Sequence, residues 1–206
     1  MKKEKSQKWR AIIKELTLSL LFLSGVVSLQ FNQKNQNLSL NQKKDKEQLE
    51  YNNSSELMQL NALKQTPSLG YDNIIANWIF LSFLQYFGDD IARETTGYQT
   101  SPEFFKVILN HDPRFFLGYV FLSSSTSLYA AQPQITVDLI EQQLPKLTPQ
   151  TPAEATLVWR YKAVDELLFL GKPKAAQESY ETAAEWAEQS PDPAVQATAA
   201  ASRQTA

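Results

Sequence analysis

The chain has 206 residues, 43% of them hydrophobic, with six glycines, ten prolines and no cysteine. That is enough apolar mass for one domain core, and it excludes disulfide frameworks, thiolate metal sites, cysteine nucleophiles and a cysteine-linked lipoprotein anchor. The formal charge of −2 conceals an asymmetry: residues 1–46 carry ten Lys or Arg against three acids, and the remainder carries ten against nineteen. An acidic remainder with scattered basic side chains argues against nucleic acid as a partner, whereas the basic end suits an anionic membrane surface.

Residues 1–10, MKKEKSQKWR, form a basic head, and Leu16–Leu29 is an uncharged apolar run, together the shape of a signal sequence. As a helix the run covers roughly 21 Å of a hydrocarbon layer about 30 Å thick. Extension from Ala11 to Phe31 supplies the length at the expense of including Lys14 and Glu15, and Lys14 snorkels toward headgroups. Val26 and Ser28 stand as the small residues of a cleavage site before Leu29. Residues 1–31 are therefore read as a signal-anchor or as a cleaved signal peptide, with a surface-lying helix as the third reading. An anchor with its Lys-rich head in the cytoplasm places the rest on the extracytoplasmic side, periplasmic or lumenal; cleavage makes it periplasmic or secreted.

Residues 32–65, rich in Asn, Gln, Lys and Ser, lack the apolar groups that would offset ordering and are predicted to be a disordered tether. Leu57, Leu60 and Leu63 share one face and allow a short helix around Glu56–Leu63. A basic binding arm is the other reading of this segment.

The domain is predicted over 66–206 and is all-α, because its apolar residues recur at helical spacing and turn glycines are few. Tyr71–Phe87 is a first long helix, ended by Gly88. Ser101-Pro102-Glu103 supplies an N-cap, a first-turn proline and an acid for a second. Phe115–Ala131 is a third, and its small Ser123–Ser127 stretch admits a neighbouring backbone. Pro133 opens a fourth, Ala153–Leu170 is a fifth stopped by Gly171, Pro173–Gln189 a sixth, and Pro191 or Pro193 starts an alanine-rich last helix that frays after about residue 200.

Helix pairs ending at Gly88, Ala131 and Gly171 fall 43 and 40 residues apart, and a single pair cannot hide its aromatic surface, so stacking is expected. The segment GKPKAAQESYETAAEW, Gly171–Trp186, resembles the turn and second helix of a tetratricopeptide repeat, with Gly171 in the turn, Ala176 and Ala183 as the small residues and Tyr180 as the aromatic. The resemblance extends over roughly 67–190 and is strongest in 160–187. YDNIIANWIFLSFLQYFGDD is also similar to the first helix of tetratricopeptide-like proteins of cyanobacterial type, which implies a photosynthetic-membrane setting. The resemblance implies a right-handed antiparallel helix-pair solenoid of about three pairs plus a C-terminal helix.

In that family the first helix of each repeat lines a concave groove, so the resemblance implies partner contacts at Trp78, Ser82, Gln85, Phe121, Ser125, Tyr161 and Asp165. Core packing is the competing reading of Trp78 and Phe121. The partner is then a protein or peptide, and the chain a membrane-tethered scaffold or assembly factor; a structural subunit, with Phe104-Phe105 and Phe115-Phe116 buried against other chains, is the rival. A small-molecule or enzymatic role comes last. No catalytic, metal or cofactor residue is expected: His111 is the only histidine and reads as a helix C-terminal residue. Asp89-Asp90 and Asp165-Glu166 read as solvated caps and helix pairs, and Lys162 with Glu166 as an i, i+4 bridge, in the less favourable order, worth a few tenths of a kcal/mol. Phosphate loops and hydrolase or metalloprotease motifs do not occur.

Overall fold

The computed structural model describes residues 24, 25, 27, 28, 30, 45–64 and 66–206, and the chain divides into two compact units, Met1–Gln48 and Leu49–Ala206. In the first, the described residues are helical. The anchor or signal expected over 1–31 lies almost wholly outside the described residues, among which no helix is long and apolar enough to cross a membrane.

The second unit is helical, with no strand among its described residues. It opens with α1 (residues 49–63), inside the span read from composition as a tether. Three leucines explain the helix: Leu60 is buried, Leu63 packs on the same core, and Leu57, one turn before Leu60, is half-buried. Thr100 donates to Asn53 at 3.2 Å, and Lys64 pairs with Glu103, so α1 is pinned to the start of a later helix.

Next come α2 (Asp72–Gly88), α3 (Asp90–Thr96) and α4 (Ser101–His111). The connection between the first two long helices, expected to be a loop, holds α3 because Asp89 caps it, accepting from the Ala92 amide at 3.1 Å. Arg93 seals the connection: its guanidinium lies 3.6 Å from the Tyr86 ring centre and donates to the Gly97 carbonyl at 3.0 Å. Ser101 is the first residue of α4 rather than its cap; Thr100 occupies the cap position, but its hydroxyl turns to Asn53 and makes no capping bond to the helix.

Helix α5 (Phe116–Leu122) widens into a π-helical turn over Ser123–Tyr129, and α7 (Ala155–Val164) does the same over Asp165–Phe169. Their partners are α6 (Pro133–Gln143) and α8 (Pro173–Glu188), followed by the short α9 (Pro193–Gln196) and α10 (Thr198–Thr205).

Three antiparallel hairpins follow from the side-chain pairings. His111 at the end of α4 meets Asp72 at the start of α2 at 2.9 Å, while Phe83 and Tyr86 pack on Phe104. Ser127 donates to Thr136 at 2.8 Å across the second hairpin, and Lys162 donates to Ser179 at 3.1 Å across the third. Neighbouring hairpins touch through Phe80 on Phe115, Phe83 on Phe121, and Phe116 on Tyr161.

The second and third hairpins correspond at an offset of 40 residues. Ala130 N–H bonds Ser125 O and Leu170 N–H bonds Asp165 O; Gln132 N–H bonds Thr126 O and Lys172 N–H bonds Glu166 O. Between them stand the positive-φ residues Ala131 (φ 55) and Gly171 (φ 62), followed by Pro133 and Pro173 at the two helix starts. Glycine adopts that conformation without a Cβ penalty, and alanine does not. The core is aromatic around Phe83, Phe104, Phe105 and Tyr119 at the first two hairpins, and becomes alanine-rich at Ala184, Ala187 and Ala199 near the C-terminus.

Candidate interaction surfaces

The seven residues expected to line a groove fall into three environments. Trp78 is 69% exposed, Gln85 is exposed and Ser82 is half-buried, its hydroxyl bonded to the Trp78 carbonyl at 3.2 Å. Phe121 is wedged against Phe80 and Phe83, and Tyr161 against Phe116. Ser125 and Asp165 are wholly buried. The structure therefore brings only the α2 residues to solvent as a group.

On α2 the exposed positions are Asn73, Ile74, Asn77, Trp78, Leu81, Leu84 and Gln85, which at 100° per residue occupy one continuous sector. The opposite sector, Ala76, Ile79, Phe80, Phe83 and Tyr86, is buried in the core. A helix that is apolar on both sides is usually covered on both; here the outer side is open. It carries no charge, and its Asn77 amide is turned back onto the Asn73 carbonyl at 2.7 Å. Sequence periodicity missed this because an all-round apolar helix gives no amphipathic signal with which to separate core from surface.

A second exposed apolar edge lies at the π turns, where Leu128 and Tyr129 recur forty residues on as Leu168 and Phe169. Tyr129 is braced by Phe87 and Tyr98, with ring centres 5.1 and 4.9 Å away. Phe104 and Phe105, by contrast, are fully buried in the unit's own core. That corrects their placement at an oligomer surface: α2 and its own hairpin cover them.

The third hairpin encloses a charged cluster. Glu166 accepts from Lys162 at 2.5 Å and from the Ser179 hydroxyl at 2.7 Å, and Lys162 also reaches Glu141 at 3.3 Å. The expected i, i+4 bridge between Lys162 and Glu166 forms, and both of its members are buried. Asp165 and Glu166 are not solvated caps; both are buried at the start of the π turn, on the face that Val158 and Lys162 already bury. Neither carboxylate oxygen of Asp165 accepts a hydrogen bond. Burial raises its pKa to about 6; the Ser127 and Ser123 hydroxyls nearby pull the other way, and the neighbouring Glu166 adds to the rise.

Among the described residues no three His, Asp or Glu side chains converge as a metal site would require. His111 ends α4 as expected and bonds Asp72, which holds that carboxyl below its usual range. No family model, no curated protein and no solved structure matches the chain.

Proposed function

We propose that the second unit is a tetratricopeptide-like stack of helix hairpins, wound as a right-handed solenoid, that binds a protein partner, and that the N-terminal segment holds it at a membrane on the extracytoplasmic side. The observation that carries the binding role is the outer face of α2, uncharged and centred on the 69%-exposed Trp78. Large exposed apolar patches on a folded unit mark interaction sites. The repeat reading is supported by the 40-residue correspondence of the second and third hairpins, down to the widened turn and the proline that follows it.

A photo-crosslinking amino acid placed at Trp78 or Leu81 in living cells tests the reading. Discrete protein adducts are expected at these positions and not at Asp138, which is exposed on α6. If both α2 positions give no more protein adduct than Asp138, the scaffold function is wrong.

A second reading makes the unit a structural subunit of a permanent membrane-associated oligomer, with the α2 face buried for good. The apolar character of both α2 sectors favours it. Sedimentation separates the two: a chain that stays monomeric at high concentration opposes a homo-oligomer, and one insoluble without a partner favours a permanent hetero-complex.

A further inference from the structure

The outer sector of α2 has a defined size. From Ile74 to Gln85 it runs for three turns, roughly 17 Å at 1.5 Å per residue. Tyr71, Ile74, Trp78, Leu81 and Leu84 are 63, 64, 69, 56 and 37% exposed, so together they offer on the order of 500 Å² to a partner. That suits the apolar stripe of one helix laid along another, the mode in which anchors spaced i, i+3/i+4 and i+7 dominate.

Charge around the stripe selects the partner. Between residues 66 and 105 the acids are Asp72, Asp89, Asp90, Glu94 and Glu103, with Arg93 as the basic residue, while at the Asn73 end of the stripe Asp72 shares a cleft with Arg114 and Lys146. Arg93 is 7% exposed and committed inward to Tyr86 and the Gly97 carbonyl, so it presents no cation to the face. At the Gln85 end, Glu56 and Asp89 share a cleft with Gln85 and with Arg93, whose guanidinium lies over Tyr86, while Asp90 and Glu94 are exposed just beyond and leave this end acidic. A second copy laid parallel would bring these carboxylates against their equivalents and be repelled, whereas an antiparallel copy is told apart from a foreign helix by the self-association test below. An anionic bilayer is repelled for the same reason, and α2 lacks the basic flank of interfacial helices.

We propose that the outer face of α2 docks an amphipathic helix of another protein, with an apolar stripe about three turns long and basic residues that meet the carboxylates at the Gln85 end. This rests on the protein-binding reading above and names the chemistry of the partner. Trp78 is the central anchor, since large aromatics at the middle of a patch carry most of the binding energy. Acid–base matching at the rim sets the on-rate and selectivity.

The test uses the full chain and two synthetic helical peptides of 18 residues, one of leucine and lysine, the other of leucine and glutamate, with leucine on one face. The lysine peptide is expected to bind in the micromolar range, at least tenfold more weakly to Trp78→Glu and severalfold more weakly to Asp90→Asn/Glu94→Gln. Leu168→Glu, on the other apolar edge, is expected to leave affinity unchanged, and the glutamate peptide not to bind. Circular dichroism and a urea midpoint verify folding, with Trp78→Ala as the substitute if the charge disturbs α2.

Equal binding of both peptides, or binding indifferent to Trp78, overturns the inference. So does self-association that Trp78→Glu abolishes, which assigns the face to a second copy, or Trp78-dependent binding to phosphatidylglycerol vesicles, which assigns it to lipid. In-cell crosslinks at Trp78 together with no binding of the lysine peptide would sink the partner chemistry alone and leave the protein-binding reading standing.

Discussion

Lys162 and Glu166 lie one turn apart on α7, 2.5 Å from each other and out of solvent, where the second hairpin has Leu122 and Thr126. Forty residues earlier, Leu139 likewise stands for Ser179. One backbone arrangement thus carries an apolar lining in one hairpin and an ion pair with a bridging hydroxyl in the next.

The pair is therefore expected to behave as a buried one. Lys162→Leu alone strands the Glu166 charge and is predicted to cost about 3–5 kcal/mol; Glu166→Thr leaves Lys162 its contacts with Glu141 and Ser179 and is predicted to cost less, and changing both together with Ser179→Leu is predicted to recover most of the loss. Urea unfolding of the two single variants and the triple variant checks this. If the losses simply add, the coupling is absent and the pair acts as an exposed one.

Asp165 gives the unit a pH dependence of unusual sign. Its pKa rises from an ordinary 3.8 to about 6 on folding, so the folded state holds the proton more tightly than the unfolded. The contribution of this residue is best below pH 4, falls as pH rises from about 4 to about 6, and stays lower above that by about 3 kcal/mol. Asp165→Asn is predicted to raise the urea midpoint at pH 8 and to change it little at pH 4. A variant that lowers stability equally at both values would show that the carboxylate is satisfied when charged.

The long helices were legible because their punctuation is chemical. Pro133 and Pro173 begin α6 and α8, Gly171 ends the turn before α8, and Ser123, Ser125 and Ser127 lie buried where another helix approaches. Two elements escaped. Helix α3 is seven residues long and depends on the Asp89 cap and on Arg93 over Tyr86, a tertiary contact with no sequence period. Helix α1 escaped only in part: its three leucines allowed the stretch Glu56–Leu63, and the residues before it, polar in composition, gave no sign that the helix begins earlier. The interior charges were misread for another reason: Asp165 and Glu166 follow the buried Val158 and Lys162 at helical spacing and so continue the inner face of α7, but acidic side chains read as solvent-facing whatever their position.

The left-handed residues at the two hairpin turns make a matched comparison. Gly171 has φ 62 with open space around a would-be Cβ, so Gly171→Ala is predicted to cost about 1 kcal/mol from backbone strain alone. Ala131 already bears that strain at φ 55, and Ala131→Gly should gain up to about 1 kcal/mol. Thermal unfolding of the two variants should shift in opposite directions; shifts of the same sign would mean that the two turns are not equivalent.

Trp78 and Phe83 stand on opposite sides of α2, and their contrast separates binding from folding. Phe83 is fully buried and packs against Phe80, Phe87, Phe104, Phe105 and Phe121, so Phe83→Ala is predicted to cost about 3–5 kcal/mol through the cavity it leaves. Trp78→Ala removes a side chain that is mostly in water and should move stability by no more than about 0.5 kcal/mol. Urea midpoints of the two variants measure the difference directly. A stability loss for Trp78→Ala comparable to that of Phe83→Ala would place the indole in a structural contact and remove the reason for treating the outer face of α2 as a surface awaiting a partner.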